Sequence, residues 1–174
     1  LVYMKDIDLD TDGNPVILVI TSGDHRSGPA GDPRIWTIAR WDGAGWRFGE
    51  VTRSTHNYDM GSLYIESADH WRIIAPTEPG PQKWGTGGEM ALWISDDAGD
   101  SWSLEREITR DSVFNHAYAR RPVNAHPDFY AFWADGDPFE FSPSRLYFTD
   151  RTGSAVWRLP EIMEAELEEP IPVT

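Results

Sequence analysis

The sequence predicts an all-β fold on three grounds: composition, turn chemistry and an internal repeat. Its 174 residues are 40% hydrophobic and 25% charged, which supplies enough apolar side chain for a core and too little charge for a disordered chain. Nine Trp, six Tyr and seven Phe favour pleated packing, while 15 Gly and 13 Pro interrupt the chain too often for long helices. A phrase ending in Trp recurs three times: ARWDGAGW over 39–46, SDDAGDSW over 95–102 and TDRTGSAVW over 149–157. Trp46, Trp102 and Trp157 stand 56 and 55 residues apart.

The elements follow in chain order. YMKDIDLD (3–10) and NPVILVIT (14–21) are strand candidates around an Asp12-Gly13 turn. TSGDHRSGPAGDPR (21–34) reads as a long flexible loop whose His25 and Arg26 can overhang a site. IWTI (35–38) then enters the first Trp phrase, where Asp42 and Gly43 suit a hairpin turn. The second copy runs YDMGSLYIE (58–66), HWRIIAPT (70–77), the loop PTEPGPQKWGTGGE (76–89) and ALWI (91–94), and turns at Asp97 and Gly99. The third runs YARRPVNA (118–125), DFYAFWAD (128–135) and RLYF (145–148), and turns at Gly153. Beyond Pro160, EIMEAELEEPIPVT (161–174) is acidic and Pro-punctuated and reads as a tail or short helix.

Four strands in roughly 55 residues make the blade of a β-propeller, a sheet of four antiparallel strands. About three blades are visible over 1–160, at about 1–54, 55–112 and 113–160, followed by the acidic C-terminal tail 161–174. Propellers close with about four to eight blades, so the chain is expected to be the C-terminal half of a roughly seven-bladed propeller. The remaining blades would lie in the same precursor or another chain. Self-association of short chains into a ring is the alternative.

A net charge of −14 and a pI near 4.6 oppose binding to nucleic acid or to anionic membranes. No apolar run is long enough to span a bilayer. Zero Cys excludes disulfides and thiolate chemistry. No P-loop, no dinucleotide fingerprint and no nucleophile elbow is present. Asp6, Asp8, Asp10 and Asp12 resemble a calcium loop by composition. Ile7 and Leu9, and the lack of a downstream bidentate Glu, fit an ordinary strand better, so no cofactor is expected, with a structural or central calcium left open.

Ser95-Asp96-Asp97-Ala98-Gly99-Asp100-Ser101-Trp102 fits the Asp-box pattern S-x-D-x-G-x-S/T-W at every defined position. Its role is structural, because Asp97 caps the turn, Gly99 permits the reversal and Trp102 packs between sheets. Here the chain resembles the sialidase-type (bacterial neuraminidase repeat) propellers, with the other two hairpins as degenerate copies. HNYDMGSLYIE (56–66), RIIAPTEPGPQKWGTGGEM (72–90) and HAYARRPVNAHPDFYAFWADGD (116–137) are similar to the propeller group of ulvan lyases, rhamnose-glucuronate lyases and α-L-rhamnosidases. The resemblance implies a secreted or periplasmic enzyme that cleaves a uronic-acid polysaccharide by β-elimination. Rhamnosidase-like hydrolysis of the same linkages is the alternative, and a non-catalytic glycan-binding or structural half-propeller is the other class. The group's site lies in a central funnel, and some of its catalytic histidines belong to blades outside this segment.

The residues point to the same place. The first strand of each repeat carries polar groups where a plain core strand would carry aliphatics: Lys5 and Asp6, then His56, Asn57, Tyr58 and Asp59, then His116, Tyr118, Arg120 and Arg121. Gathered at an axis, Lys5, His56, His116, Arg120, Arg121 and His126 would form a positive funnel able to hold a carboxylate. Arg120 or Arg121 would bind the carboxylate by a bidentate fork, successive strand residues facing opposite sides so that only one of them faces the funnel. Tyr58 or Tyr118, with His56 or His116, would transfer protons. Trp84, exposed with Lys83 and Glu89 in the 76–89 loop, would stack on a sugar, and Asn57 would bind substrate. No metal ligand set is assigned.

Overall fold

The computed structural model describes residues 1–54 and 59–173. It is all-β, with three antiparallel sheets built in chain order and one 3₁₀ turn at Pro29–Gly31. The first sheet is β1 (Val2–Leu9), β2 (Pro15–Thr21), β3 (Arg34–Trp41) and β4 (Trp46–Ser54). The second is β5 (Ser62–Ile65), β6 (Trp71–Glu78), β7 (Glu89–Ser95) and β8 (Ser103–Glu107). The third is β9 (Asn115–Arg120), β10 (Ala131–Gly136), β11 (Leu146–Thr149) and β12 (Val156–Arg158), with β13 (Ile171–Val173) added at its edge. Part of the segment after Pro160 is therefore a fifth strand, because Ile171 to Val173 pair antiparallel with β12.

Each strand pair is a hairpin in sequence, and the turns explain the order. Asp42, Asp97 and Asp150 each bend the third strand of a sheet into the fourth. The Asp97 carboxylate accepts from Ser95 Oγ and Ser101 N at 2.8 Å each, and from Ser101 Oγ at 2.5 Å. Gly99 takes φ +84, and Trp102 Nε1 donates to its carbonyl oxygen at 3.2 Å. Asp42 accepts Ala44 N and Gly45 N, and Asp150 accepts Thr152 N and Ser154 N, so the same device recurs without the full sequence pattern.

The second sheet is sandwiched. Its Leu63, Trp71, Ile73 and Ala75 pack on Val16, Leu18, Ile20, Trp36, Ile38 and Val51 of the first sheet. Its Tyr64, Ile74, Met90 and Leu92 pack on Ala119, Ala131, Trp133, Tyr147 and Val156 of the third. Burial on both faces is why β6 reads as a continuous apolar run while β2 buries every second residue. Each fully buried Trp, Leu or Ile stabilises the stack by about 1.5–3 kcal/mol.

The two end faces are apolar, and no described element covers them. On the first sheet Met4 pairs with Val19 and Ile7 with Ile17. On the third, Phe132, Phe148 and Trp157 form a row across β10, β11 and β12, the last two stacked at 5.1 Å.

Candidate functional site

Two sequence expectations place the first strand of the third repeat and the first long loop differently from the structure. YARRPVNA does not stay extended: β9 runs from Asn115 to Arg120, and Pro122, which lacks an N–H for the ladder, starts a loop that continues to Tyr130. His126 lies in that loop, exposed beside Asp128, away from the strand ends. The 21–34 loop is laced down. The fully buried Arg34 pairs with Asp32 and donates to the carbonyl oxygens of Arg26 and Gly28, and Ser22 Oγ donates to Gly31 O at 3.0 Å. His25 stays exposed, and Arg26 is bound to Asp24 at 2.6 Å.

Tyr118 is the bulged residue of β9. Ala117 pairs with Ala134 and Arg120 with Phe132, so one extra residue is accommodated between them, and Tyr118 takes φ +63. The bulge turns its side chain outward, 58% exposed, with the Arg120 guanidinium 5.6 Å from the ring centroid. Asp59, just ahead of β5, holds the bulge in place: its Oδ1 and Oδ2 accept Tyr118 N at 3.2 and 3.1 Å, and Oδ1 also accepts Met60 N at 2.6 Å. Asp59 is 3% exposed. Burial pushes its carboxyl up to about 6, against the downward pull of the two N–H groups and of Lys5 and Arg120. Lys5, half-buried on β1, is shifted down by the same desolvation, opposed by Asp59. The structure thus brings Lys5, Tyr118 and Arg120 around Asp59. The weak clue to Asp59 in the sequence was its position beside other polar groups at the start of a repeat.

The two adjacent arginines differ. Arg121 is committed: it pairs with Asp8 of β1 and lies 5.6 Å from the centroid of Tyr64, itself stacked on Tyr130. The Arg120 side chain makes no hydrogen bond or ion pair among the described residues. Both line a cleft of about 570 Å³ with Asp6, Tyr64, Glu66 and Tyr130, within the size range of ligand pockets. The other aspartates nearby are also engaged: Asp6 Oδ2 of β1 accepts Leu63 N at 2.7 Å, and Asp10 Oδ1, just past β1, accepts Asp12 N and Asn14 N. Among the described residues no three acidic or His side chains cluster as a metal site.

His116 stands apart, 4% exposed. Trp133 Nε1 can only donate, and it donates to His116 Nδ1 at 2.8 Å. The neutral ring therefore carries its proton on Nε2 and donates to Ser112 Oγ at 2.9 Å, which in turn donates to Glu89 Oε2 at 2.8 Å. Burial lowers the His116 pKa, opposed by Glu89 and Asp135, which keeps the ring neutral. In this order Ser112 receives a proton, the reverse of a nucleophile facing its base. Glu89 is buried rather than exposed, because Thr109 Oγ1 and Ser112 N also bind its carboxylate.

Trp84 is half-buried, under Lys83 Nζ at 5.1 Å from the ring, in a loop held to β9. Asn115 Oδ1 accepts Gln82 N, and Asn115 Nδ2 donates to Gln82 O and Thr86 O. Gly85 sits against Pro138, which brings the loop over the connection between β10 and β11. His56, Asn57 and Tyr58 lie outside the described residues.

No family model and no curated protein matches the chain. Two solved structures resemble it, each with TM-score 0.66, 17% identity and 86% of this chain covered. One is described as a new family of polysaccharide lyase, a PL25 ulvan lyase, and the other as that lyase bound to -[GlcA(1-4)Rha3S]-. The chain spans about a third of their length, 32%. At this identity the likeness is one of fold.

Proposed function

We propose that the three sheets are blades of a β-propeller that cleaves a uronic-acid polysaccharide by β-elimination, acting outside the cytoplasm with the blades that complete the ring. The uncovered apolar end faces are the surfaces those blades would bury. One observation carries the substrate class: in a protein of net charge −14, the Arg120 side chain forms no ion pair among the described residues and sits against the exposed ring of Tyr118. Its planar fork suits a carboxylate, and the Tyr118 ring offers a face and a phenolic oxygen beside it. The likeness of fold to ulvan lyases supports the same reading.

In this chemistry Arg120 neutralises the uronate carboxylate, which acidifies the C5 proton. A base takes that proton, its electron pair becomes the C4–C5 double bond, the C4–O bond breaks, and the leaving oxygen collects a proton. Tyr118 is the described group placed to move a proton there. His116 is committed to Trp133 and Ser112, so a second proton-transfer group falls to His56 or Tyr58. A non-catalytic sugar-binding propeller is the second reading, favoured by that same commitment of His116.

The test is incubation of the chain, alone and with its completing blades, with glucuronate–rhamnose oligosaccharides. Ultraviolet absorbance of the unsaturated product and new reducing ends are followed, beside an Arg120→Ala variant. Absorbance lost in the variant supports the lyase. Reducing ends without absorbance indicate hydrolysis, and binding without turnover indicates the second reading.

A further inference from the structure

We propose that Asp59 is the proton-linked residue of the Arg120 site, taking up a proton when an anion binds there. This rests on the reading of Arg120 as the carboxylate-binding group and adds a residue and a regulation to it.

The geometry supplies the coupling. Asp59 is buried, accepts hydrogen bonds only from the main-chain N–H groups of Met60 and Tyr118, and forms no ion pair among the described residues. Among the described residues the charged groups that act on it are Lys5 from β1 and Arg120 from β9. On its own segment, His56 and Tyr58 lie outside the described residues. The Asp59 charge is thus offset at a distance by two cations. A ligand carboxylate engaging Arg120 draws on that positive charge and adds a like charge in a region of low dielectric. Protonating Asp59 relieves both effects, and its carbonyl oxygen still accepts the Tyr118 N–H, so the bulge keeps its shape.

The sign follows from the direction of the change. In the free protein burial already raises the Asp59 pKa to about 6. A further rise in the complex means that binding takes up a proton. Affinity then tightens as the pH falls from the bound-state pKa towards about 6 and levels off below it. A rise of about one unit on binding corresponds to a tenfold gain across that window.

The experiment is calorimetric titration with a glucuronate-containing oligosaccharide, in buffers of different ionisation enthalpy, between about pH 5 and 8. Wild type is expected to take up a fraction of a proton and Asp59→Asn none. The carboxyl-reduced, neutral oligosaccharide is expected to show no uptake. Binding of the acidic sugar without proton uptake overturns the proposal, as does uptake that survives in Asp59→Asn. If Asp59→Asn does not fold, carboxyl ¹³C titration of wild type decides, an Asp59 midpoint that fails to rise with ligand being the adverse result. Absence of binding at any pH, or binding undiminished in Arg120→Gln, sinks the reading of the site itself and the proposal with it.

Discussion

Both carboxylate oxygens of Asp59 accept the main-chain N–H of Tyr118, at 3.2 and 3.1 Å, across 59 residues of sequence. A bulky residue in the left-handed region is strained, by roughly 1–3 kcal/mol, and persists only where its surroundings hold it. Here the hold is a buried carboxylate just ahead of the neighbouring sheet, and the result is an aromatic ring turned outward beside an arginine that forms no ion pair among the described residues.

Tyr118→Gly should therefore separate stability from function. Glycine adopts φ +63 without strain, and the exposed ring contributes little to the core. Thermal denaturation should show a gain of up to about 1 kcal/mol, while binding of acidic oligosaccharide falls at least about tenfold. A marked loss of stability would show that the ring itself holds the bulge.

Arg120 and Arg121 should respond oppositely to truncation. Arg120→Ala breaks no ion pair among the described residues and should weaken acidic-sugar binding by about tenfold to a hundredfold, with the denaturation midpoint lowered less than by Arg121→Ala. Arg121→Ala strands the partly buried Asp8 and removes packing from Tyr64, at a cost of about 1–2 kcal/mol in urea unfolding. Equal effects of the two substitutions on binding would contradict the assignment.

The second and third sheets are clasped at Glu66. Its carboxylate takes Arg151 at 2.9 and 2.7 Å, Arg72 at 2.9 Å and the Tyr130 hydroxyl. Burial pushes its pKa up, but the hydrogen bonds from Arg151, Tyr130 and Arg72 outweigh it and hold the carboxyl at about 2, below its usual 4.5. With the folded value depressed, the clasp stabilises fully above about pH 4.5 and is lost as the pH falls towards 2. Acid titration followed by near-ultraviolet circular dichroism should show Glu66→Gln less stable than wild type at neutral pH, with the difference closing in that window.

Gly87→Ala should loosen the Trp84 loop. Gly87 has φ +83, and a Cβ there would clash with the His116 carbonyl oxygen. The substitution should cost about 1–3 kcal/mol and alter the tryptophan emission of the folded protein. An unchanged spectrum and midpoint would mean the loop is free to shift.

Much of the sheet order was legible because hairpins are local. Asp97 sits within four residues of every group it caps, and the Trp phrases mark the same step in each sheet. The turn at Asp150 keeps its hydrogen bonds although its sequence has drifted, so the repeat was readable even where the motif was not. β9 ends sooner than its sequence suggests, since the residues after Arg120 resemble a strand until Pro122 removes a ladder donor.

By itself the sequence determined the all-β character, the three repeated hairpin pairs and the candidate polar groups at their starts, all of which depend on side-chain type and spacing within a few residues. Only the tertiary structure decided which of those groups are available. Arg121 is spent on Asp8 over 113 positions, His116 is locked by Trp133 and Ser112, and Arg120, beside Asp59, forms no ion pair among the described residues. Pairing and desolvation depend on which sheets meet, and no local pattern records that.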